Sequence, residues 1–100
     1  MLIKFSPQRS DKIIKYEFSG EAITAAIDGV TDTFDFSNLN EGDEVARNEE
    51  TGQLEIETTL PFLPILDARR ENGHVIVTVL KYHGKDAPYE ERFPEPLEVV

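Results

Sequence analysis

Ile65-Leu-Asp-Ala-Arg-Arg-Glu-Asn-Gly-His-Val-Ile-Val-Thr-Val-Leu80 contains the two apolar runs, and the junction between them, that decide the fold class. Asn72-Gly73 at the centre is a two-residue hairpin sequence, because the favoured turn needs positive φ at both positions and Asn and Gly tolerate it. In the run after it, Val75, Val77 and Val79 fall on one face and Ile76, Thr78 and Leu80 on the other. Apolar groups on both faces mark a central strand covered from two sides.

The same period of two recurs towards the N-terminus. Leu2 to Phe5 suits an edge strand, ended by Ser6-Pro7. Within Lys12 to Phe18, Ile14, Tyr16 and Phe18 alternate with Lys15 and Glu17, as in a half-buried strand. Ser19-Gly20 is a turn, Ile23, Ala25 and Ile27 share the next apolar face, and Asp28-Gly29 is a second hairpin signal. Phe34 and Phe36 flank Asp35 in a further alternating run. Residues 37–52 are polar and acidic and predict a long loop, with one helical turn around Glu44 to Asn48. Leu54 and Ile56 alternate with Glu55 and Glu57 as another strand, and Pro61-Phe62-Leu63-Pro64 bends the chain into Ile65 to Arg70. No heptad, internal repeat or long amphipathic helix interrupts the pattern. The expected architecture is mainly β: a single domain over residues 1–100, built as a small roll, barrel or sandwich of about 6–8 short antiparallel strands with one long acidic loop.

Composition agrees with one modest core, since 39% of the 100 residues are hydrophobic and six Phe and three Tyr are present. Cysteine is absent, which removes disulfides and thiolate metal sites. The opening Met1-Leu-Ile-Lys-Phe-Ser-Pro is not a secretory signal, and no run is long enough to span a bilayer, so a cytoplasmic product is expected. Charge is unevenly spread. Ten acids between Asp28 and Glu57 face one base, Arg47, and account for nearly all of the net charge of -10. A field of that sign repels nucleic acid and anionic lipid, so neither is expected as a direct partner.

Residues 85–96 read as an extended, proline-punctuated segment in which Tyr89 and Phe93 stand among Pro88, Pro94 and Pro96. Such backbone loses little entropy on docking, which makes Tyr82, His83, Tyr89, Phe93 and Pro94 the candidate partner-binding residues. The competing reading is that Phe93 and Leu97 fill the edge of the domain's own core. It is favoured here, because a short chain needs its aromatics inside.

Candidate catalytic groups do not assemble. His83 could ligate a metal or shuttle protons, but the other histidine, His74, lies at the far end of the same strand. Nine extended residues separate the two by roughly 30 Å. Asn38-Leu-Asn-Glu-Gly-Asp-Glu lacks the register of a calcium loop. Glu55 and Glu57 share a face, but it is the solvent side of their run, with no cleft to raise a carboxyl pKa. No phosphate loop or nucleophile elbow is present. The expectation is a non-enzymatic protein with no catalytic residue, no metal site and no cofactor.

Three landmarks in order add a family resemblance: Phe5-Ser-Pro-Gln-Arg9, then Phe34-Asp-Phe-Ser37 before the Gly-containing acidic loop, then His83-Gly84, Ala87-Pro88, Glu90-Glu91, Phe93-Pro94 and Pro96. With these the chain resembles a family of small proteins encoded near the tail and tail-fibre genes of phages and prophages. Relatives carry a proline before the His-Gly pair where this chain has Lys81-Tyr82, and residues 49–66 diverge. The resemblance implies an accessory or minor structural protein of tail or tail-fibre assembly, with other phage structural or assembly proteins as partners and association with the virion as an extension of its cytoplasmic location. The alternative is an acidic, DNA-mimic-like inhibitor that binds a host nucleic-acid enzyme through its negative face, for which Glu41, Asp43 and Glu44 are the natural contacts.

Overall fold

A computed structural model describes residues 1–99, the side chain of Glu91 excepted. The chain is mainly β. Seven strands form: β1 (Leu2–Arg9), β2 (Ile14–Ser19), β3 (Ala22–Ile27), β4 (Val30–Asp35), β5 (Ile65–Glu71), β6 (His74–His83) and β7 (Leu97–Glu98), with one helical turn, α1 (Tyr89–Arg92), between the last two. Four strands make one sheet in the order β5-β6-β1-β7, and β2-β3-β4 make the other.

The local signals produce the hairpins expected of them. Asp28 and Gly29 take φ of 52° and 79°, and Asn72 and Gly73 take 53° and 79°, so both turns use two left-handed positions. They join Ile27 to Val30 and Glu71 to His74 in direct register. Alternation then sorts the side chains. Ile23, Ala25 and Ile27 of β3, Val75, Val77 and Val79 of β6, and Ile3 of β1 are all at most 1% exposed and belong to one core cluster. The sheets therefore close on each other as a sandwich. The Tyr16 hydroxyl crosses between them, donating to the Leu80 carbonyl at 2.5 Å. Burial, with the nearby Tyr82 adding to it, pushes the Tyr16 pKa well above the ordinary tyrosine value, so this donor keeps its proton.

One pairing departs from the antiparallel expectation. β1 runs parallel to β6, from Leu2 opposite Ile76 to Arg9 opposite His83. It also continues through Pro7, where the sequence predicts its end. The Ser10 N–H donates to the His83 carbonyl, while Met1 exchanges bonds with Val99. Even positions of β1 thus face β6 and odd positions face β7. Pro7 lies on the odd side, beyond the two residues that β7 covers, where no N–H is required.

The middle of the chain differs more. No helical turn forms at Glu44 to Asn48, and Leu54 and Ile56 are not in a strand. Instead the acidic segment lies along the outer edge of β5: Gly42 N–H donates to the Arg70 carbonyl, Arg70 N–H to Asp43, and Val45 N–H to Ala68. Arg47 then pairs with Leu54 across a short turn, and its guanidinium reaches the Gly52 and Leu66 carbonyls at 2.6 and 2.8 Å. The reason is apolar. Leu54 and Leu60 are 5% and 6% exposed, so the segment bends to deliver them to the core rather than to continue a ladder.

Candidate functional site

After β6 ends at His83, the chain turns at Gly84 and reaches Pro88, whose φ of −64° starts α1. The sequence predicts an extended run here. Pro88 stands at the cap, where a missing N–H costs nothing, and Pro94 lies beyond the Phe93 C-cap, so the four residues Tyr89–Arg92 can make one turn. Arg92 N–H donates to the Pro88 carbonyl and Phe93 N–H to that of Tyr89. The turn sits beside β1 and β6, and β7 then fastens the segment to β1 through the Ile3–Leu97 pairing.

Four residues of helical spacing bring Tyr89 and Phe93 onto one face. Their ring centroids are 5.0 Å apart at 37°. The rings touch each other and otherwise face solvent, with 67% of Tyr89 and 58% of Phe93 exposed. This corrects the expectation that Phe93 and Leu97 fill the core edge, since Leu97 is exposed as well. That volume is supplied by the middle segment, with Leu54 and Leu60 in the core and Phe62 and Leu63 against it. Leaving two aromatic rings in water forgoes apolar burial that a short chain would ordinarily use.

The other three sequence candidates occupy different settings. Tyr82 is half-buried, with its ring 5.9 Å from that of Phe62. His83 is half-buried, and its Nδ1–H donates to the adjacent Gly84 carbonyl at 3.1 Å. Pro94 is half-buried beside Phe93 in the chain. Tyr89 and Phe93 are thus brought together as a surface, while Tyr82 is used inside the fold. Sequence reasoning missed exposed Ile13, which no pattern marked, and a groove of about 340 Å³ walled by Phe34, Phe36, Leu39, Val45 and Ile56.

The acids are mostly builders of turns. Asp32 accepts from the Thr58 hydroxyl at 2.7 Å and from Thr59 N–H at 3.2 Å. Both oxygens of Glu41 face Gly73 N–H at 3.2 and 3.0 Å, and Asp43 caps Asn40 N–H. Arg70 ties three regions together, donating to the Leu39 carbonyl, to Glu21 at 3.0 Å and to the Gly73 carbonyl. The bond to Glu21 raises the Arg70 pKa further. Among the described residues, no three His, Asp or Glu side chains converge as a metal site would require, and no helix is long and apolar enough to cross a membrane.

Two of these carboxylates make stability depend on acid. The Thr58 hydroxyl, then Thr59 N–H, hold Asp32 below its ordinary pKa, and Ser37 does the same to Asp35 through its N–H and hydroxyl. A lowered folded-state pKa stabilises fully above the unfolded value of about 4 and loses that stabilisation as pH falls through the folded value. The Asp32→Asn/Asp35→Asn double variant is therefore expected to lose Tm less steeply than the parent below about pH 4. Acid limbs that superimpose in thermal melts would contradict this.

The fold and surface together define a small β-sandwich carrying an aromatic pair on a strapped C-terminal turn. Scanning against protein-family models gives no match, and searches of curated proteins and of solved structures give none either.

Proposed function

We propose that the protein is a non-enzymatic accessory or minor structural component of phage or prophage tail or tail-fibre assembly, and that it binds other assembly proteins through Tyr89 and Phe93. The observation that carries the binding role is the exposed ring pair. Large aromatics are the commonest anchors of protein interfaces, and a segment fastened at both ends presents them with little ordering cost. The phage context is supported by the ordered landmarks from Phe5-Ser6-Pro7 to Phe93-Pro94, which resemble that family. Work in the host cytoplasm, with carriage on the particle, belongs to the same reading.

Affinity capture with the tail and tail-fibre proteins of the encoding phage, with mass spectrometry of purified particles, tests it. Tyr89→Ala/Phe93→Ala is expected to weaken capture by about 30-fold, the size of a loss of about 2 kcal/mol at a hot spot. Thermal stability should stay within about 0.5 kcal/mol of the parent, because neither ring is in the core. Capture unaffected by the double variant, or absence of the protein from both particles and captured complexes, contradicts the proposal.

A second reading, an acidic inhibitor of a host nucleic-acid enzyme, gains from one observation: the acidic segment is pinned to β5 by backbone hydrogen bonds rather than standing free. Fixed carboxylates can imitate phosphates where a loose loop cannot. This reading predicts capture that survives loss of the aromatic pair and collapses as salt rises or when Glu41, Asp43 and Glu44 are neutralised.

A further inference from the structure

The two sheets have four lateral edges, and three are guarded. The acidic segment covers β5 through its bonds to Ala68 and Arg70. On the opposite edge of that sheet β7 pairs only two residues, and Pro7 interrupts the rest of β1. Along β4, the Asp32 carboxylate holds residues 58 and 59 against the strand. Short strands, prolines and covering segments are the usual protections against strand addition.

β2 has none of these. Its one strand neighbour is β3, and among the described residues no backbone or side-chain bond reaches its other edge. The two-residue turn at Gly20-Glu21 makes Ser19–Ala22 a hydrogen-bonded pair, so Glu17 and Lys15 also turn their backbone groups towards β3. Ile14, Tyr16 and Phe18 therefore direct their N–H and C=O groups outward.

We infer that this edge pairs with the same edge of a second copy of the chain, antiparallel about a two-fold axis through Tyr16. Only that register uses all the outward groups: Tyr16 meets Tyr16, and Ile14 meets Phe18 in both directions, for about six backbone bonds. The side chains agree with it. Lys15 and Glu17, both exposed and neither in an ion pair among the described residues, come opposite Glu17 and Lys15 of the second copy on the outer face. On the inner face, half-buried Ile14, Tyr16 and Phe18 gain apolar neighbours. A lysine in an edge strand ordinarily repels addition. Here Glu17 two residues away makes the edge complementary to itself and to no uniformly charged strand.

The net charge of -10 on each copy opposes association, so the test belongs at about 0.15 M salt, where the Debye length is about 8 Å. Sedimentation of the full chain from about 5 μM to 1 mM is expected to show a monomer–dimer equilibrium. Over the same range, hydrogen exchange should slow at the amides of Ile14, Tyr16 and Phe18, while those of Lys15 and Glu17, already bonded to β3, stay unchanged. Lys15→Glu and Glu17→Lys should each weaken dimerisation about 10-fold or more, and the double reversal Lys15→Glu/Glu17→Lys should restore it. Both positions are exposed, and circular dichroism checks that each of the three variants is folded. A monomer throughout the range overturns the inference. So does a dimer indifferent to the single reversals, or one in which the double reversal is as weak as the singles.

Discussion

Ile3→Ala and Ile23→Ala are each expected to destabilise the protein by about 2–5 kcal/mol, the range for emptying a buried isoleucine site. Both side chains are fully buried, but they come from different sheets, Ile3 from β1 and Ile23 from β3. A domain of this size has about 5–15 kcal/mol of stability in all, so either change removes a large share of it. The pattern of loss matters more than its size. If the sheets share one core, both variants lower a single cooperative transition, and their melts by far-UV and near-UV circular dichroism coincide. Two separate transitions, each sensitive to one variant, would mean that the sheets are independent units.

Leu54→Ala is expected to cost a similar about 2–5 kcal/mol, although Leu54 lies outside every named strand. It is 5% exposed and belongs to the same cluster as Ile3 and Ile23. Removing it should also loosen its local partners, the Arg47 bridge and the hydrogen bond from Glu55 N–H to the Ala46 carbonyl. The matching control is Glu55→Ala, an exposed neighbour, which should change stability by no more than about 0.5 kcal/mol. Chemical denaturation of the three proteins decides the matter. A Leu54→Ala variant as stable as the control would show that the middle of the chain is a surface loop and not part of the core.

That middle segment also marks where sequence reasoning stops. Asp28-Gly29 and Asn72-Gly73 are legible because positive φ is a local demand, met by the residues themselves. The faces of β3 and β6 are legible because alternation reports burial directly. The β1–β6 pairing is different. It joins Leu2 to Ile76 across most of the chain, and nothing local states whether the partner runs parallel or antiparallel. The acidic segment reads as a free loop because its anchors are distant: Gly42, Asp43 and Val45 bond to β5, and Glu41 bonds to the Asn72-Gly73 turn. Leu54 and Ile56 carry a strand's alternation and are drawn off the ladder by the core.

The candidate surface was half legible. Tyr89 and Phe93 stand out as aromatics among prolines, but their four-residue spacing becomes one face only if a helical turn forms, and three prolines argue against one. Pro88 and Pro94 in fact bracket the turn. Whether those rings point inward depended on how much core the middle segment supplies, which the polar composition of residues 37–52 concealed. Tyr82 illustrates the converse, an aromatic beside the same segment that the fold uses against Phe62.

The parallel β1–β6 pairing determines both where the sandwich closes and where the C-terminal turn is fastened. Cross-strand nuclear Overhauser contacts in a labelled sample test it most directly. Contacts should rise together in both strands, linking Ile3 with Val77, Phe5 with Val79 and Arg9 with His83. Contacts in which β6 numbers fall as β1 numbers rise, or none between the two strands, would contradict the architecture and the surface built on it.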